Sequence, residues 1–527
     1  MKRNVPILTF CVCFLTLVFV PTAAQSNPTT ERVSISSTGT EGDNNSYTSA
    51  LSANGRFVAF QSYASNLVLN DSNNFGDVFV RDRQTGTTER VSISSADLQS
   101  NNASYSAALS ADGRFVAFTS DASNLVPGDN NNVSDVFVHD RQTGTTERVS
   151  ISSADLQSNS SSSFPVLSAD GHFVAFQSYA SNLVSGDNNG QGDIFVRDRQ
   201  TGTTERISLS SADLESNNGS NYPALSADGR FVAFQSDASN LVSGDSNGQS
   251  DVFVRDRQTG TTERVSLSST GVQGNSYSYS FDLALSGDGR FVAFQSDASN
   301  LVSGDSNNTG DIFVRDRQTG TTERVSVNSA GLQSNGFSAA PTISSDGFSV
   351  AFISYASNLV SGDTNGQGDS FIHDRQNGIT ERVSLSSTGV QGNSNSGGNL
   401  PALSANGLLV AFTSDASNLV PGDSNGFSDI FVRNRPPTGA PKRNYYTTDT
   451  PTLTWSRVSW ANTYEIQVDD TLNFSSTLDF TASVPADQLS TPTSSLVNGT
   501  YYWHVRACPA TGTCSAWSAT DSFVVGS

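Results

Sequence analysis

The stretch Phe-Val-Ala-Phe at residues 57–60 decides the fold, because it is the most regular part of a repeat that fills most of this 527-residue chain. Successive copies begin 58, 58, 58, 60, 58 and 60 residues apart. Self-similarity at a fixed period is the signature of a repeat architecture, so the sequence predicts seven copies of one structural unit. The copies begin at Phe57, Phe115, Phe173, Phe231 and Phe291, with variants at Ser349 and Leu409.

Each unit is predicted to form four short strands, described here for the fourth copy. The turn sequences Ala-Asp-Gly-Arg (227–230) and Arg-Gln-Thr-Gly-Thr (257–261) supply the glycines that tight hairpins need. The second strand, 231–234, is apolar on both faces, as suits a strand covered on both sides. The fourth strand alternates Val265 and Leu267 with serines, as at a half-exposed edge. Four-stranded sheets stacked face to face satisfy both patterns and predict an all-β propeller. The predicted strands are 223–226, 231–234 with its flanks, 251–257 and 263–269.

An Arg-Val-Ser or Arg-Ile-Ser string marks each fourth strand, and its positions indicate how the repeats close. One copy, at Arg32, precedes the first Phe-Val-Ala-Phe, and none follows the last third-strand string at Asp429. We therefore expect segment 31–37 to complete the last unit and close a seven-bladed ring, which removes an exposed sheet edge. An open solenoid of seven units is the alternative. The predicted domains are a signal peptide at 1–24, a seven-bladed β-propeller at 25–435, a linker at 436–450 and a small C-terminal β-sandwich at 451–527.

The repeats resemble the WD40-like propeller repeat of the TolB family. The matching stretches are Ser-Ala-Asp-Gly-Arg-Phe-Val-Ala-Phe (226–234), Asp-Val-Phe-Val-Arg-Asp (251–256) and Thr-Gly-Thr-Thr-Glu-Arg-Val (259–265), within a resemblance that covers residues 31–435. TolB is a periplasmic six-bladed propeller with a different N-terminal domain, and it acts through protein–protein contacts. The resemblance therefore implies a fold and an exported location. It does not imply TolB's partners, since this chain has seven units and lacks that domain.

The N-terminus is predicted to be a signal peptide. Lys2 and Arg3 precede an apolar run at 5–20, and Thr22-Ala23-Ala24 offers small residues for cleavage. An uncleaved membrane anchor is the alternative, but the run is short for a membrane-spanning helix. We therefore expect a secreted, periplasmic or cell-surface protein with no membrane span after signal cleavage.

The net charge limits the kinds of partner. The chain carries −21, and without Lys2 and Arg3 it has 27 basic against 50 acidic residues, or −23. Nucleic acids and anionic membranes need a basic face, so neither is expected as a partner. A protein or glycan ligand is expected instead, and the sequence does not define the oligomeric state.

The long loops that follow each second strand share an Asp-x-Asn-x-x-x-Asp pattern. Carboxylate and amide oxygens at alternate positions of a glycine-bearing loop can wrap Ca²⁺, so calcium is a candidate cofactor. The alternative is that Asp and Asn form Asx turns that satisfy the loop backbone. The candidate metal ligands are Asp71, Asn73, Asp77, Asp129, Asn131, Asp135, Asp187, Asn189, Asp193, Asp245, Asn247, Asp251, Asp305, Asn307, Asp311, Asp363, Asn365, Asp369, Asp423, Asn425 and Asp429.

Aromatic residues cluster at the start of the first strand in six of the seven units, on the same face as the long loops. Long loops on a rigid scaffold are where function usually lies, and aromatic rings beside Asn and Asp suit a sugar or a peptide. Packing beneath their own loops is the alternative. The candidate ligand-binding residues are Tyr47, Tyr105, Phe164, Tyr222, Tyr277, Tyr279, Phe281 and Phe337.

The composition changes after Pro436-Pro437, and all four tryptophans lie beyond this point. Alternating runs at 452–455, 464–468 and 501–505 predict sandwich strands. The stretches 451–455, 461–468 and 499–507 resemble fibronectin type III domains, which are mostly spacers or adhesion modules. The resemblance implies a tyrosine corner within 496–502. Cys508 and Cys514 are closely spaced in an exported chain and indicate one disulfide, with two reduced thiols as the alternative.

The sequence contains no motif that argues for catalysis. It has no His-Glu-x-x-His, no Gly-x-Ser-x-Gly and no Cys/His metal spacing. The main prediction is therefore a non-enzymatic binding or scaffold protein that uses the long-loop face. The alternative is a carbohydrate-active hydrolase or lyase with carboxylates on the same face.

Overall fold

The computed structural model describes residues 28–278 and 283–435 continuously and most of the chain from 450 to 525. The described ranges beyond 435 are 445–446, 450–455, 457–458, 460–471, 474, 477–497, 499–511, 513–518 and 521–525. The predicted signal peptide and most of the predicted linker lie outside these residues. Every regular secondary-structure element assigned in the described residues is a β-strand. Within that part of the chain, no helix has the length and apolar character needed to cross a membrane.

Seven four-stranded antiparallel sheets account for the repeats in the described residues, and we number them in chain order. Sheet 1 contains β2 (Ser46–Leu51), β3 (Phe57–Ser62), β4 (Asp77–Asp82) and β5 (Thr87–Arg90). Sheet 2 contains β6 (Ser104–Leu109), β7 (Phe115–Ser120), β8 (Asp135–Asp140) and β9 (Thr145–Arg148). Sheet 3 contains β10 (Ser162–Leu167), β11 (Phe173–Ser178), β12 (Asp193–Asp198) and β13 (Thr203–Arg206). Sheet 4 contains β14 (Ser220–Leu225), β15 (Phe231–Ser236), β16 (Asp251–Asp256) and β17 (Thr261–Arg264).

The remaining three sheets follow the same order, except that the last borrows a strand. Sheet 5 contains β18 (Ala284–Leu285), β19 (Phe291–Ser296), β20 (Asp311–Asp316) and β21 (Thr321–Arg324). Sheet 6 contains β22 (Ser338–Ile343), β23 (Ser349–Ser354), β24 (Asp369–Asp374) and β25 (Ile379–Arg382). Sheet 7 contains β26 (Ala402–Leu403), β27 (Leu409–Ser414), β28 (Asp429–Asn434) and β1 (Thr29–Arg32).

The N-terminal strand completes sheet 7, as the positions of the Arg-Val-Ser strings predicted. β1 pairs antiparallel with β28, with Thr29 opposite Asn434 and Arg32 opposite Phe431. Beyond β1, the Val33 amide donates to the Ile430 carbonyl at 2.8 Å. The unpaired edge that β28 would otherwise present is therefore covered by the start of the chain.

The apolar cores lie between neighbouring sheets. Phe60 and Phe79 of β3 and β4 stack with ring centroids 5.9 Å apart, and the equivalent pair stacks in each of the other six sheets. One cluster joins Val58 and Phe60 of sheet 1 to Val432 of sheet 7. Both faces of the second and third strands are thus buried, which explains why these strands are apolar on both faces. The all-β fold of repeated four-stranded, propeller-like sheets is therefore confirmed.

The fourth strands begin earlier than the sequence predicted. In sheet 4 the strand is Thr261–Arg264, not 263–269, and β1 likewise ends at Arg32. Beyond Arg264 the chain bends, and Leu267 forms a bridge with Gln273 across a turn. The apolar and polar alternation of 265–268 reflects this bend, in which Ser266 Oγ donates to Asp251 at 2.5 Å.

The first strands contain bulges that the sequence did not predict. In sheet 4 the register shifts between Asn221 and Ala224, and Tyr222 has φ of 52°. Phe164 of sheet 3 is similar, with φ of 54°. Bulky residues seldom adopt this left-handed conformation, so both positions store backbone strain. In the two units that carry a two-residue insertion, the first strand shortens to the two-residue β18 and β26.

The C-terminal region forms a separate core. It contains β29 (Tyr445–Tyr446), β30 (Thr452–Thr454), β31 (Thr463–Asp469), β32 (Phe480–Pro485), β33 (Ser490–Pro492), β34 (Gly499–Cys508) and β35 (Asp521–Val525). The order β29-β35-β34-β31-β32 makes one sheet, and β30 pairs with β33. Trp455, Trp503 and Tyr464 fill the core between them. A disulfide joins Cys508 to Cys514, and the Tyr501 hydroxyl donates to the Val497 carbonyl at 2.9 Å.

Candidate functional site

The long-loop face is the end of the seven sheets that carries the connections from second to third strand and from fourth strand to the next sheet. In sheet 1 these are residues 63–76 and 91–103. The opposite end carries only tight turns, such as 83–86 between β4 and β5. All predicted metal ligands and aromatic candidates within the described residues lie on or beside the long-loop face.

The Asp-x-Asn-x-x-x-Asp loops form closed hydrogen-bond networks, as sheet 1 shows. Asp77 is fully buried, and its Oδ1 accepts from Ser92 Oγ at 2.5 Å and Ser100 Oγ at 2.8 Å. The amide of Gln99 donates to Asp71 at 2.7 Å and to Asp77 at 3.2 Å. Asn73 Nδ2 donates to Asp77 at 3.1 Å. The loop carboxylates are therefore held by donors from the same chain.

An arginine supplies the positive charge in each network. The Arg90 guanidinium lies 3.3 Å from Asp71 and 3.6 Å from Asp77. The same bridge recurs in all seven sheets. The seven arginines are Arg32, Arg90, Arg148, Arg206, Arg264, Arg324 and Arg382.

This donor set does not fit a calcium ion. Ca²⁺ takes six to eight oxygen ligands, whereas Asn73 turns its N–H side to Asp77 and uses its Oδ1 to accept from the Phe75 amide. The Arg90 guanidinium also lies beside both carboxylates, where it would repel a divalent cation. The twenty-one candidate ligands lie in seven equivalent loops that share this arrangement.

Sheet 3 departs from this pattern because Glu215 stands where sheets 1 and 2 have Gln99 and Gln157. The carboxylates of Asp187, Asp193 and Glu215 have oxygens within 4.8 Å of one another. Arg206 contacts Glu215 at 2.6 Å. Burial, followed by repulsion from Asp193 and Glu215, raises the pKa of Asp187 to about 6.

The candidate aromatic residues stand at three different registers, not at one. Tyr47 and Tyr105 lie opposite the last part of the second strand, at Gln61 and Thr119. Phe164 and Tyr222 occupy the bulges and touch edge to face, with ring centroids 5.0 Å apart. Tyr277 and Phe337 precede the first strand, and both are exposed. Tyr279 and Phe281 lie outside the described residues. Sequence spacing alone did not separate these registers, because the bulge inserts a residue into the first strand and no feature of the repeated sequence indicates its position.

One variable position on this face was missed by the sequence analysis. The residue after each second strand is Tyr or Asp, within an otherwise identical Ser-x-Ala-Ser-Asn-Leu-Val. A single variable residue inside a repeated string is a signal that could have identified it. The seven residues are Tyr63, Asp121, Tyr179, Asp237, Asp297, Tyr355 and Asp415.

This position is paired with a second variable position, the residue before each third strand. A tyrosine ring lies over a glycine in three sheets, as Tyr63 lies over Gly76, where an added Cβ would be 3.1 Å from the ring. An aspartate accepts from a serine hydroxyl in three others, as Asp121 accepts from Ser134 at 2.6 Å. Sheet 5 combines Asp297 with Gly310 and so matches neither class.

That exception lines a polar pocket, which we call the sheet 5 pocket. Its volume is about 440 Å³, and it brings Asp297, Asp305 and Phe337 together. Burial and the nearby charge of Asp311 raise the pKa of Asp305, and the hydrogen bond from Gln333 partly offsets this increase. Phe337 is 37% exposed. The remaining lining residues are Asn275, Ser276, Ser299, Asn308, Thr309 and Gly310.

A second cavity, of about 470 Å³, lies among the first strands of all seven sheets. Its lining is mostly apolar, with Leu51, Val166 and Leu285 among its residues. Seven backbone hydrogen bonds link the tight turns of neighbouring sheets in a circle, and the last runs from the Ala405 amide to the Ala53 carbonyl at 2.9 Å. The other six join Ala53 to Ala111, Ala111 to Ala169, Ala169 to Ala227, Ala227 to Gly287, Gly287 to Ser345 and Ser345 to Ala405.

Several solved structures are similar to this chain in the arrangement of their sheets. TolB from Acinetobacter baumannii is 16% identical over 68% of this chain and 76% of its own, with a TM-score of 0.35. An oligogalacturonate lyase from Vibrio parahaemolyticus is 12% identical over 75% and 90%, with a TM-score of 0.44. Acylaminoacyl peptidase from Pyrococcus horikoshii is 10% identical over 80% and 57%, with a TM-score of 0.45. No family model matches the sequence, and no curated protein matches it.

The repeated four-stranded sheets, together with these matches, confirm the TolB-like propeller that the repeats indicated. The prediction of a non-enzymatic binding or scaffold protein is contradicted. The similar structures include a lyase, an acylaminoacyl peptidase, prolyl endopeptidases and the tricorn protease, which are enzymes. The prediction rested on the absence of a short catalytic motif, and such an absence does not exclude an enzyme.

Proposed function

We propose that this protein is a carbohydrate-active hydrolase whose active site is the sheet 5 pocket. The observation that carries the proposal is the presence of two carboxylates, Asp297 and Asp305, in one polar pocket with an exposed aromatic ring. Both lie in the connection from β19 to β20, Asp297 at its first position and Asp305 eight residues later. Their surroundings differ, since Asp305 contacts Arg324 and Gln333 while Asp297 lies beside Gly310.

Glycoside hydrolysis needs two carboxyl groups in different protonation states. A carboxyl group whose pKa is raised holds a proton that it can give to the leaving oxygen. Burial and the nearby Asp311 raise the pKa of Asp305, which is the direction that a general acid needs. Asp297 is then the carboxylate that activates water or attacks the anomeric carbon.

The other lining residues suit an uncharged sugar. Phe337 offers a ring face for the apolar side of a pyranose, and Asn275, Asn308 and Thr309 offer hydrogen-bonding groups. A lyase that acts by β-elimination would need an anionic uronate as substrate. The chain carries a net charge of −21, and Arg324, which contacts the pocket residue Asp305, is paired with both Asp305 and Asp311. These charges favour a neutral glycan and hydrolysis.

The scaffold proposed for this site is an exported, closed seven-bladed propeller. Its support is the pairing of β1 with β28, the core shared by sheets 1 and 7 and the circle of backbone hydrogen bonds. The C-terminal strands are proposed to be a fibronectin type III-like spacer. The hydrogen bond from the Tyr501 hydroxyl to the Val497 carbonyl supports this, since a tyrosine corner has the same geometry.

A substrate panel tests the proposal. The purified protein is incubated with xylan, mannan, β-glucan, starch and polygalacturonate, and new reducing ends and unsaturated products are measured separately. We expect reducing ends from at least one neutral glycan and no unsaturated product from polygalacturonate. Unsaturated product alone would replace the hydrolase with a lyase, and no product from any glycan would contradict both.

A further inference from the structure

A three-residue hydrogen-bond relay in sheet 4 shows what sheet 5 lacks. In sheet 4 the amide of Gln235 donates to Ser250 Oγ at 3.2 Å, and Ser250 Oγ donates to the carboxylate of Asp237. The serine hydroxyl therefore accepts one hydrogen bond and donates another. Gln235 is 8% exposed, so the relay is largely closed to solvent.

Sheet 5 keeps the two ends of this relay and replaces its centre with glycine. Gln295 and Asp297 stand at the positions of Gln235 and Asp237, and Gly310 stands at the position of Ser250. A Cβ built on Gly310 would lie 3.0 Å from Gln295 Nε2, 3.0 Å from Asp297 Oδ1 and 2.9 Å from Phe337. We call the space between these four residues the Gly310 notch.

Gln295 gives independent reason to expect a ligand group in this notch. It is 3% exposed, and within the described part of the chain its Nε2 has no hydrogen-bond partner. A buried amide nitrogen without a partner destabilises the fold, so most such groups in native structures are hydrogen-bonded. In sheets 3 and 4 the equivalent amide groups use their donor and leave the acceptor without a partner, since Gln177 Nε2 donates to Asn221 at 2.7 Å and Gln235 Nε2 donates to Ser250.

We propose that the Gly310 notch is a subsite for one hydroxyl group of a polyhydroxylated ligand, which takes the place that the Ser250 hydroxyl occupies in sheet 4. A hydroxyl accepts from Gln295 and donates to Asp297, whereas a cation cannot use the amide donor and an anion would meet the carboxylate. Phe337 borders the same space and covers the ring that bears the hydroxyl. The inference rests on the proposed function in placing the ligand in the active site, and it assigns that ligand to the polyols and sugars.

The substitution Gly310→Ser tests the subsite by filling it with the serine of the repeat. Sheet 4 shows that this serine is compatible with the junction to the next sheet, since the Ser250 carbonyl accepts from the amide of Ser278, the residue after Tyr277, at 2.9 Å. The variant should therefore fold, and its melting temperature should rise by roughly 1–2 °C through the added hydrogen bonds. Gly76→Ser in sheet 1 is the matched control and should give no such rise, because Tyr63 stands where sheet 5 has Asp297 and offers no carboxylate to the serine hydroxyl.

Glycerol serves as the probe, so the test does not depend on finding the natural substrate. Crystals of the protein and of Gly310→Ser are soaked in glycerol. We expect a glycerol hydroxyl within hydrogen-bond distance of both Gln295 and Asp297 in the wild-type protein and none there in the variant. Glycerol bound only elsewhere, or bound equally near residue 310 in both crystals, would overturn the subsite while leaving hydrolysis to be decided by the substrate panel.

Discussion

At the scale of single residues, the repeat makes each departure from its pattern informative. Glutamine in most sheets donates to both loop carboxylates, as Gln157 does to Asp129 and Asp135. Glu215 offers no such donor, and Arg206 turns to it instead. Asp187 is left buried beside two other carboxylates, and its pKa rises to about 6.

The first prediction concerns Asp187→Asn, which mimics the protonated side chain. A carboxyl group whose pKa is raised on folding stabilises the folded state fully below its unfolded pKa of about 3.8, and this contribution is lost as the pH rises through about 6. The variant should therefore be more stable than wild type at pH 7.5 by about 1–3 kcal/mol, with no gain at pH 4. Urea unfolding at both pH values measures the difference.

Asp245→Asn is the control for that measurement. Asp245 occupies the equivalent loop position in sheet 4, but Gln273 donates to it at 2.8 Å. We expect no comparable gain at pH 7.5 from this substitution. An equal gain in both variants, or a gain that does not change with pH, would show that Glu215 is not the cause.

The residue scale also shows where prediction from sequence fails. The Asp-x-Asn pattern is visible in the sequence, but the partner of Asp77 is Arg90, which lies on the next strand and is brought there only by pairing of β4 with β5. The pocket residues Asp297 and Asp305 could be seen only as copies of a repeated aspartate. What distinguishes Asp297 is the glycine at position 310, thirteen residues later in the chain.

At the scale of elements, hydrophobic patterning correctly located the strands that are buried on both faces. It located the first and fourth strands of each sheet less accurately. The Phe-Val-Ala-Phe segments lie in the second strands, as β3 and β15 illustrate. The predicted bounds of the fourth strands were too late in the chain, because Val265 and Leu267 continue the apolar and polar alternation after the strand has ended. The first strands were misjudged because a bulge at Tyr222 breaks the period of two.

Closure of the ring by β1 gives the second prediction, which belongs to the scale of elements. Deletion of residues 28–37 removes a strand, exposes the edge of β28 and removes Val33, which is 1% exposed, from the core between sheets 1 and 7. Burial of one such side chain contributes about 1.5–3 kcal/mol, so we expect a loss of at least about 3 kcal/mol in the free energy of unfolding. Urea unfolding measures this loss, and size-exclusion chromatography should show association through the open edge.

The matched variant moves residues 28–37 to a position directly after Arg435. This arrangement makes the seventh repeat contiguous and should restore most of the lost stability. If the deletion unfolds at the same urea concentration as wild type, β1 is not part of the closing sheet.

At the scale of the whole molecule, the same contacts recur at every junction between sheets. Each junction has an arginine–glutamate ion pair on the tight-turn face, and Arg83 of sheet 1 pairs with Glu31 beside β28 in the same way. The other six pairs are Arg141–Glu89, Arg199–Glu147, Arg257–Glu205, Arg317–Glu263, Arg375–Glu323 and Arg435–Glu381. Uniform junctions make a rigid frame on which one altered unit can become a site.

The proposed site is that altered unit, because sheet 5 differs chemically from its neighbours. Asp297 lines the pocket and is paired with Gly310, at the position where its counterpart Asp237 in sheet 4 is paired with Ser250. The two aspartates otherwise occupy equivalent places after β19 and β15. A comparison of the two therefore separates catalysis from the structural role of this position.

The most direct measurement is the rate of reducing-end release by wild type, Asp297→Asn and Asp237→Asn on the glycan that the substrate panel identifies. We predict that Asp297→Asn loses activity by roughly 10²–10⁴-fold while it keeps the wild-type melting temperature, and that Asp237→Asn keeps its activity. Equal activity in Asp297→Asn and wild type, or an equal loss in both variants, would contradict an active site in the sheet 5 pocket.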